Sequence, residues 1–266
     1  MSHPTTKLPS SPVAGNGGRR AFYVGAAIFV ILLSVAGFGP SIIDPSNRAA
    51  PMTLLVIVHG VVAAAWILLF LLQAILVATG RTAVHRRVGL LGPFLAIGLI
   101  VVSSLTQIEF ARRGYDLSGD VDRALGPSGA APQSASELAP VRLAALGILV
   151  QFGMLAGAGL WYRHRAEVHK RLMLLALLSL TTVPFLHLAG VVAHFWPAIR
   201  GPATVVLAIA PSALLFTSAI VDALAQRRVH PVSWLVPVAA LAWLVLVGGV
   251  VARSDWWRGV AAWLTR

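Results

Sequence analysis

The sequence predicts an all-α integral membrane protein with seven transmembrane helices. Of its 266 residues, 58% are hydrophobic and only 11% are charged, whereas soluble domains carry about 25% charged residues. The hydrophobic residues form runs of about 19–25 residues, the length that a helix needs to cross a ~30 Å hydrocarbon core. Transmembrane β-strands would instead alternate polar and apolar residues over about 10 positions. The predicted spans are 21–39, 52–79, 88–106, 140–162, 171–195, 203–225 and 232–252.

The positions of the basic residues predict the orientation of these spans. The net charge is +12, but Arg and Lys lie beside the ends of the apolar runs, where they anchor helices, so we expect no nucleic-acid partner. Short loops on the side opposite the N-terminus carry only Arg48 and Arg200. Because cytoplasmic loops are enriched in Lys and Arg, we expect the N-terminus inside and the C-terminus outside. The short inner loops carry Arg81, Arg86, Arg87, Arg163, Arg165, Lys170, Arg171, Arg227 and Arg228.

The membrane domain, residues 21–252, is expected to lie between two tails. Residues 1–20 are polar and rich in Pro, Gly and Ser, which predicts a disordered cytoplasmic tail. Residues 253–266 place four apolar side chains on one helical stripe, which predicts an amphipathic helix in the outer membrane interface. The stripe consists of Trp256, Val260, Trp263 and Leu264.

The segment 107–139 is predicted to be the one sizeable outer loop. Its acidic residues include Asp116, Asp120 and Asp122. They lack the spacing and the glycine of a calcium-binding loop, so we expect them to be solvated.

An internal repeat relates the second and fourth predicted spans and the helices that follow them. The segment 81-RTAVHRRVGLL-91 aligns with 165-RAEVHKRLMLL-175 at an offset of 84 residues. Both hairpins then run out-to-in and back, so the repeats are parallel, related by an axis along the membrane normal. A third hairpin keeps only 227-RRVHP-231, in which Pro231 suits the first turn of a helix.

Two histidines in the outer half of the membrane are the first candidate site. At 1.5 Å per residue, His59 lies roughly 31 Å and His187 roughly 27 Å above the inner surface. His194 follows His187 on the same face, and Gly190 between them could admit a flat ligand. Facing imidazoles are usual ligands of haem b or copper. The alternative is that these histidines, with the intramembrane Gln151, bond to neighbouring helices or contact a substrate.

The second candidate set lies at the inner surface. His85, His169 and His230 each begin an outward-running helix, and His85 and His169 are related by the repeat. This pair could ligate a metal. The simpler interpretation is that the repeated histidines only anchor the helices at the membrane boundary. Asp222 is expected to pair with Arg227 or Arg228, or else to act as a proton-relay carboxylate.

The chain resembles a family of uncharacterised bacterial multi-pass membrane proteins. The resemblance covers about residues 55–235 and rests on the pattern GRxxxHRxxG, then HKRLMLL, then an aspartate before RRVHP. The helix HKRLMLLALLSLTTVPFLHLAGVVAH is more distantly similar to small membrane proteins linked to cytochrome-oxidase assembly. These resemblances imply a location in the bacterial inner membrane and respiratory-chain components as partners. We also expect self-association.

Three functions follow as hypotheses. The first is a redox or metal-handling protein in which His59 and His187, or His194, hold haem b or copper. The second is a small-molecule or proton transporter whose polar path includes the same histidines and Gln151. The third is a structural or assembly protein without a cofactor. Since the chain has no cysteine, thiolate and iron–sulfur chemistry are excluded.

Overall fold

The computed structural model describes residues 15–120, 139–140, 142–226 and 228–266, and most of these residues are helical, with no strand among them. The helix α1 begins at Gly15, so the predicted tail is already helical over residues 15–20; residues 1–14 lie outside the described ranges. The helices are α1 (Gly15–Ile43), α2 (Leu54–Ala78), α3 (Thr82–Val88), α4 (Leu91–Arg113), α5 (Leu146–Trp161), α6 (Ala166–Ser179), α7 (Thr182–Phe195), α8 (Arg200–Leu214), α9 (Thr217–Gln226), α10 (Pro231–Val245) and α11 (Asp255–Leu264).

Within the described ranges, six helical segments are long and apolar enough to cross a membrane. The predicted run 140–162 forms the shorter helix α5, whose 16 residues extend about 24 Å. A multi-pass membrane protein is therefore confirmed at this level, while seven spans stay a prediction. The six segments are Arg20–Ile43, Leu54–Ala78, Thr82–Arg113, Ala166–Phe195, Pro197–Leu214 and Pro231–Arg253.

Proline explains where two of the long segments are interrupted. Pro93 is the third residue of α4, and Pro184 is the third residue of α7. A proline has no N–H for the carbonyl four residues earlier, and its ring clashes with that carbonyl. The preceding helices α3 and α6 therefore end at Val88 and Ser179, just before each proline takes effect.

The repeated sequence starts equivalent helices. Thr82 begins α3 and Ala166 begins α6, 84 residues apart, and the residue before each is an arginine. In the third hairpin, Pro231 occupies the first turn of α10 as the sequence predicts. His230 caps that helix, because its Nδ1 accepts from the N–H of Val232 at 3.2 Å.

The segment formed by α6 and α7 lies at the centre of the bundle. The most apolar 18 residues of this segment are 67% buried, whereas the corresponding stretches of the other five spanning segments are at most 22% buried. The helix α1 packs against both α2 and α7, and α5 packs against α4 and α6. The main core includes Trp66, Phe152 and the run Leu174–Leu178. Large apolar side chains cover the outside, for example Leu32, Leu54 and Phe94, as a lipid-facing surface requires.

The segment after α4 folds back onto the end of the bundle that we call the outer end. The backbone N–H of Ala49 donates to the carbonyl of Leu117 at 2.8 Å. Asp116 and Asp120 are each only 3% exposed, so the expectation of a solvated loop is wrong for both. The prediction for Asp122 falls outside the described residues.

The C-terminal residues form the predicted short helix, α11. Ser254 caps it, and Trp257 Nε1 donates to the carbonyl of Pro140 at 2.8 Å. Trp256 and Trp263 are 69% and 68% exposed. This leaves the predicted tryptophan stripe on the surface of the bundle, where an interfacial helix would place it.

Candidate functional site

His187 of α7 lies among three buried polar side chains of the outer loop. Its side chain is 8% exposed, with Nε2 3.7 Å from Oδ2 of Asp116 and Nδ1 3.5 Å from Oδ2 of Asp120. The hydroxyl of Ser118 lies 3.2 Å from Nδ1. Two carboxylates thus lie beside one imidazole, and all three side chains are withdrawn from solvent. We call these residues, with His59 and Ser103 described below, the outer cluster.

A left-handed glycine and two short-range hydrogen bonds shape the loop that reaches His187. Gly114 ends α4 with a φ of 83°, a left-handed conformation that glycine adopts without strain. Beyond it, the carboxylate of Asp116 accepts from the N–H of Gly119, and the hydroxyl of Ser118 accepts from the N–H of Asp120 at 3.2 Å. These short-range bonds stabilise a compact turn that presents both carboxylates to α7.

Gly190 provides the space that this loop needs. A Cβ atom at Gly190 would overlap the backbone oxygen and the Cα of Asp120. We expected Gly190 to admit a flat ligand, and that expectation is wrong, because the backbone of Asp120 occupies the space.

His59 of α2 belongs to the same cluster. Its Nδ1 lies 3.1 Å from the hydroxyl of Ser103 in α4, so His59 bonds to a neighbouring helix as one of the two interpretations expects. His59 also lies close enough to His187 for the two rings to interact electrostatically. Both predicted histidines, on separate helices, thus lie in the same electrostatic environment.

The helix α1 packs against the outer cluster through Phe38. The ring of Phe38 lies 4.4 Å from the ring of His187, centroid to centroid. Gly37 allows this approach, since a Cβ there would lie 2.6 Å from the carbonyl oxygen of Pro184. Phe38 and the loop residues therefore fill the space around His187.

Other predicted residues lie elsewhere. His194 is exposed and packs its ring 4.7 Å from that of Phe195. Gln151 is 3% exposed, and its Oε1 has no hydrogen-bond partner among the described residues. Nε1 of Trp66, also buried, has none within the same ranges.

Asp222 belongs to a buried ion pair near the inner end. Nη2 of Arg171 lies 2.6 Å from Oδ1 of Asp222, and Nε lies 3.1 Å from Oδ2. The sequence predicts Arg227 or Arg228 as the partner; Arg227 is outside the described residues, and the pair that the described residues form is with Arg171. Ser233 donates to Asp222 at 2.6 Å, which ties α6, α9 and α10 together.

The inner histidine pair, His85 and His169, also comes together. Their ring centroids are 6.4 Å apart, while His230 serves as the cap of α10. Over the described residues, no three His, Cys, Asp or Glu side chains are arranged to hold one metal ion. Haem b or copper on His59 with His187 or His194 stays a prediction.

The comparisons with known proteins assign no family. No protein-family model, curated protein or solved structure matches this chain.

Proposed function

We propose that the protein is a proton-binding membrane protein of the transporter class, in which the outer cluster takes up and releases protons. The observation that carries this proposal is the burial of His187 between Asp116 and Asp120. Ionisable groups at membrane depth are costly and are retained where they do chemistry or transport. A histidine with two carboxylates holds protons in several arrangements, which suits a group that loads and unloads.

Polar groups on α2 extend from the outer cluster toward the inner end. His59, Trp66 and Gln73 recur every seven residues, so they share one face of α2. Midway along the bundle, Trp66 Nε1 and Gln151 Oε1 have no hydrogen-bond partners in the described part of the chain. Buried polar atoms of this kind are sites where ordered water binds. Water bound at these atoms would provide polar groups between the two membrane surfaces, as a transport path requires.

The proposed setting is the bacterial inner membrane, with seven spans, the N-terminus inside and the C-terminus outside. Basic residues at the starts of α3, α6 and α10 support this orientation through the enrichment of Lys and Arg in cytoplasmic loops. The outer cluster then faces the outer aqueous phase, and the inner histidine pair faces the cytoplasm.

Voltage-driven proton flux tests the proposal. The purified chain is placed in vesicles that trap a pH-sensitive dye, and a potassium gradient with valinomycin sets the membrane potential. We expect proton flux with the wild type and its reduction to the level of protein-free vesicles with His187→Gln and with Asp116→Asn.

The matched control is Asp255→Asn, because the side chain of Asp255 is 95% exposed at the start of α11. This variant should conduct like the wild type. Flux that is equal in the wild type, His187→Gln and Asp116→Asn, or absent in all of them, contradicts the proposal.

A further inference from the structure

The inner histidine pair has a geometry that the proton-binding function does not use. His85 of α3 and His169 of α6 occupy equivalent positions of the repeat, 84 residues apart in sequence. Their ring centroids lie 6.4 Å apart, and the ring planes meet at 79°. Both side chains are half-buried, so a small solute can reach them from the inner surface.

Each ring contacts the backbone of the helix that comes just before its own in the chain: α5 for His169 and α2 for His85. Nδ1 of His169 lies 2.7 Å from the carbonyl oxygen of Gly159 in α5. The ring of His85 hydrogen-bonds to the backbone of Gln73 in α2. A metal-ligating histidine almost always donates its other ring N–H to an acceptor of this kind, which sets its tautomer and its direction. A neutral imidazole that donates through one nitrogen carries its lone pair on the other.

The separation of the two rings fits one ion between them. Metal–nitrogen bonds are about 2.0 Å long, so two nitrogens on one ion are about 4 Å apart and their ring centres about 6 Å apart. The observed 6.4 Å agrees with that spacing.

The surroundings favour a soft, singly charged ion. The nearest carboxylate in sequence, Glu167, is engaged by Lys170 and by Arg171, each at 2.6 Å. The positive charge of Arg86 lies near His85 and disfavours a second positive charge.

A sulfur atom lies beside Gly159, the residue whose carbonyl oxygen contacts His169. Met173 follows His169 by one helical turn, and a Cβ at Gly159 would lie 2.8 Å from its sulfur. Imidazole and thioether groups without a carboxylate are the ligands that copper(I) accepts, whereas Mg²⁺, Ca²⁺ and Mn²⁺ require oxygen. We infer that His85 and His169 bind a single copper(I) ion at the inner end of the bundle.

Competition for copper(I) tests this site. The detergent-purified whole chain is titrated anaerobically with copper(I) in the presence of a coloured copper(I) chelator. We expect one bound equivalent in the wild type and a loss of affinity of more than about 100-fold in His85→Ala and in His169→Ala, because loss of an outer-shell partner alone costs about 10- to 100-fold. His164→Ala is the control, since His164 is an exposed histidine of the loop between α5 and α6, and it should bind like the wild type.

Wild-type affinity in either His85→Ala or His169→Ala, or no bound copper(I) in the wild type, overturns the inference. X-ray absorption of the copper-loaded wild type adds a readout that does not depend on a variant's folding, and a spectrum without imidazole scattering also overturns it. Zn²⁺ or haemin in place of copper(I) distinguishes other ligands of two histidines. Tighter binding of either one, lost in both alanine variants, contradicts copper as the ligand.

Discussion

Arg171 and Asp222 form a two-point ion pair that is buried near the inner end of the bundle. The side chains are 2% and 6% exposed, and the nitrogen–oxygen distances are 2.6 and 3.1 Å. The same guanidinium donates to the backbone carbonyl of Glu167 at 2.8 Å. Because both charges are removed from water, each depends on the other for compensation.

The variant Asp222→Asn is therefore expected to destabilise the protein by about 3–5 kcal/mol, the cost of leaving one member of a buried pair uncompensated. The free energy of unfolding is measured in mixed micelles through the fluorescence of the eight tryptophans. Glu167→Gln is the control, because the Glu167 side chain is 54% exposed, so water screens its charge and its loss should cost less than that of the buried Asp222. Equal losses of unfolding free energy in the two variants would show that burial does not increase the contribution of the Arg171–Asp222 pair.

Trp66 is expected to tolerate loss of its N–H but not of its ring. The ring packs edge-on against Phe152 at 5.0 Å, while Nε1 has no hydrogen-bond partner among the described residues. Trp66→Ala should cost about 3–5 kcal/mol. Trp66→Phe keeps an aromatic contact and sacrifices no bond to the described residues, so it should cost much less. Unfolding of both variants by the same fluorescence assay, carried by the remaining tryptophans, decides the point, and similar losses would contradict it.

Gly190 is expected to control the docking of the outer loop. Gly190→Ala places a methyl group against the backbone of Asp120, and such overpacking costs about 1–3 kcal/mol. Gly157→Ala, at a helical glycine with nothing within 4 Å of the added carbon, should be neutral or gain up to about 1 kcal/mol of helix propensity. Limited proteolysis of the segment 114–120 provides the local readout. Unchanged cleavage in Gly190→Ala would mean that the loop does not depend on this contact.

The predicted orientation can be tested without removing any native thiol, since the chain has no cysteine. Single cysteines at Ser46 and Thr265 should react with a membrane-impermeant maleimide in intact cells, because both positions are assigned to the outer side. A cysteine at Arg163, in the loop between α5 and α6, should react only after the membrane is opened. The reverse pattern would invert the topology, and labelling of Ser46 but not of Thr265 would change the number of spans.

Features that depend on local sequence were predictable. Hydropathy located the apolar segments, and the fixed rise of a helix placed His59 and His187 at similar depths. These inferences succeed because they follow from bond geometry and from the cost of exposing a backbone to lipid.

Features that depend on chain segments folding back were not predictable in the same way. Asp116 and Asp120 lie in a polar stretch that reads as a solvated loop, and their burial follows from contact with a helix about 70 residues further along the chain. One signal was present: Gly190 interrupts an apolar helix, which indicates close approach by another group. The sequence could not tell that this group is the backbone of Asp120. Arg171 and Asp222 likewise meet only after α6 and α9 pack together.

The most direct test of the central claim is a pH-induced infrared difference spectrum of the protein in lipid. If the outer cluster binds protons, the wild type and Asp255→Asn should share bands of a buried carboxylic acid and of the histidine ring that change with pH. Asp116→Asn should alter the carboxyl bands, and His187→Gln should weaken the ring bands by the contribution of one of the eight histidines. Spectra that are the same in the wild type, Asp116→Asn and His187→Gln would show that no proton exchanges at this site, and the proposed function would be wrong.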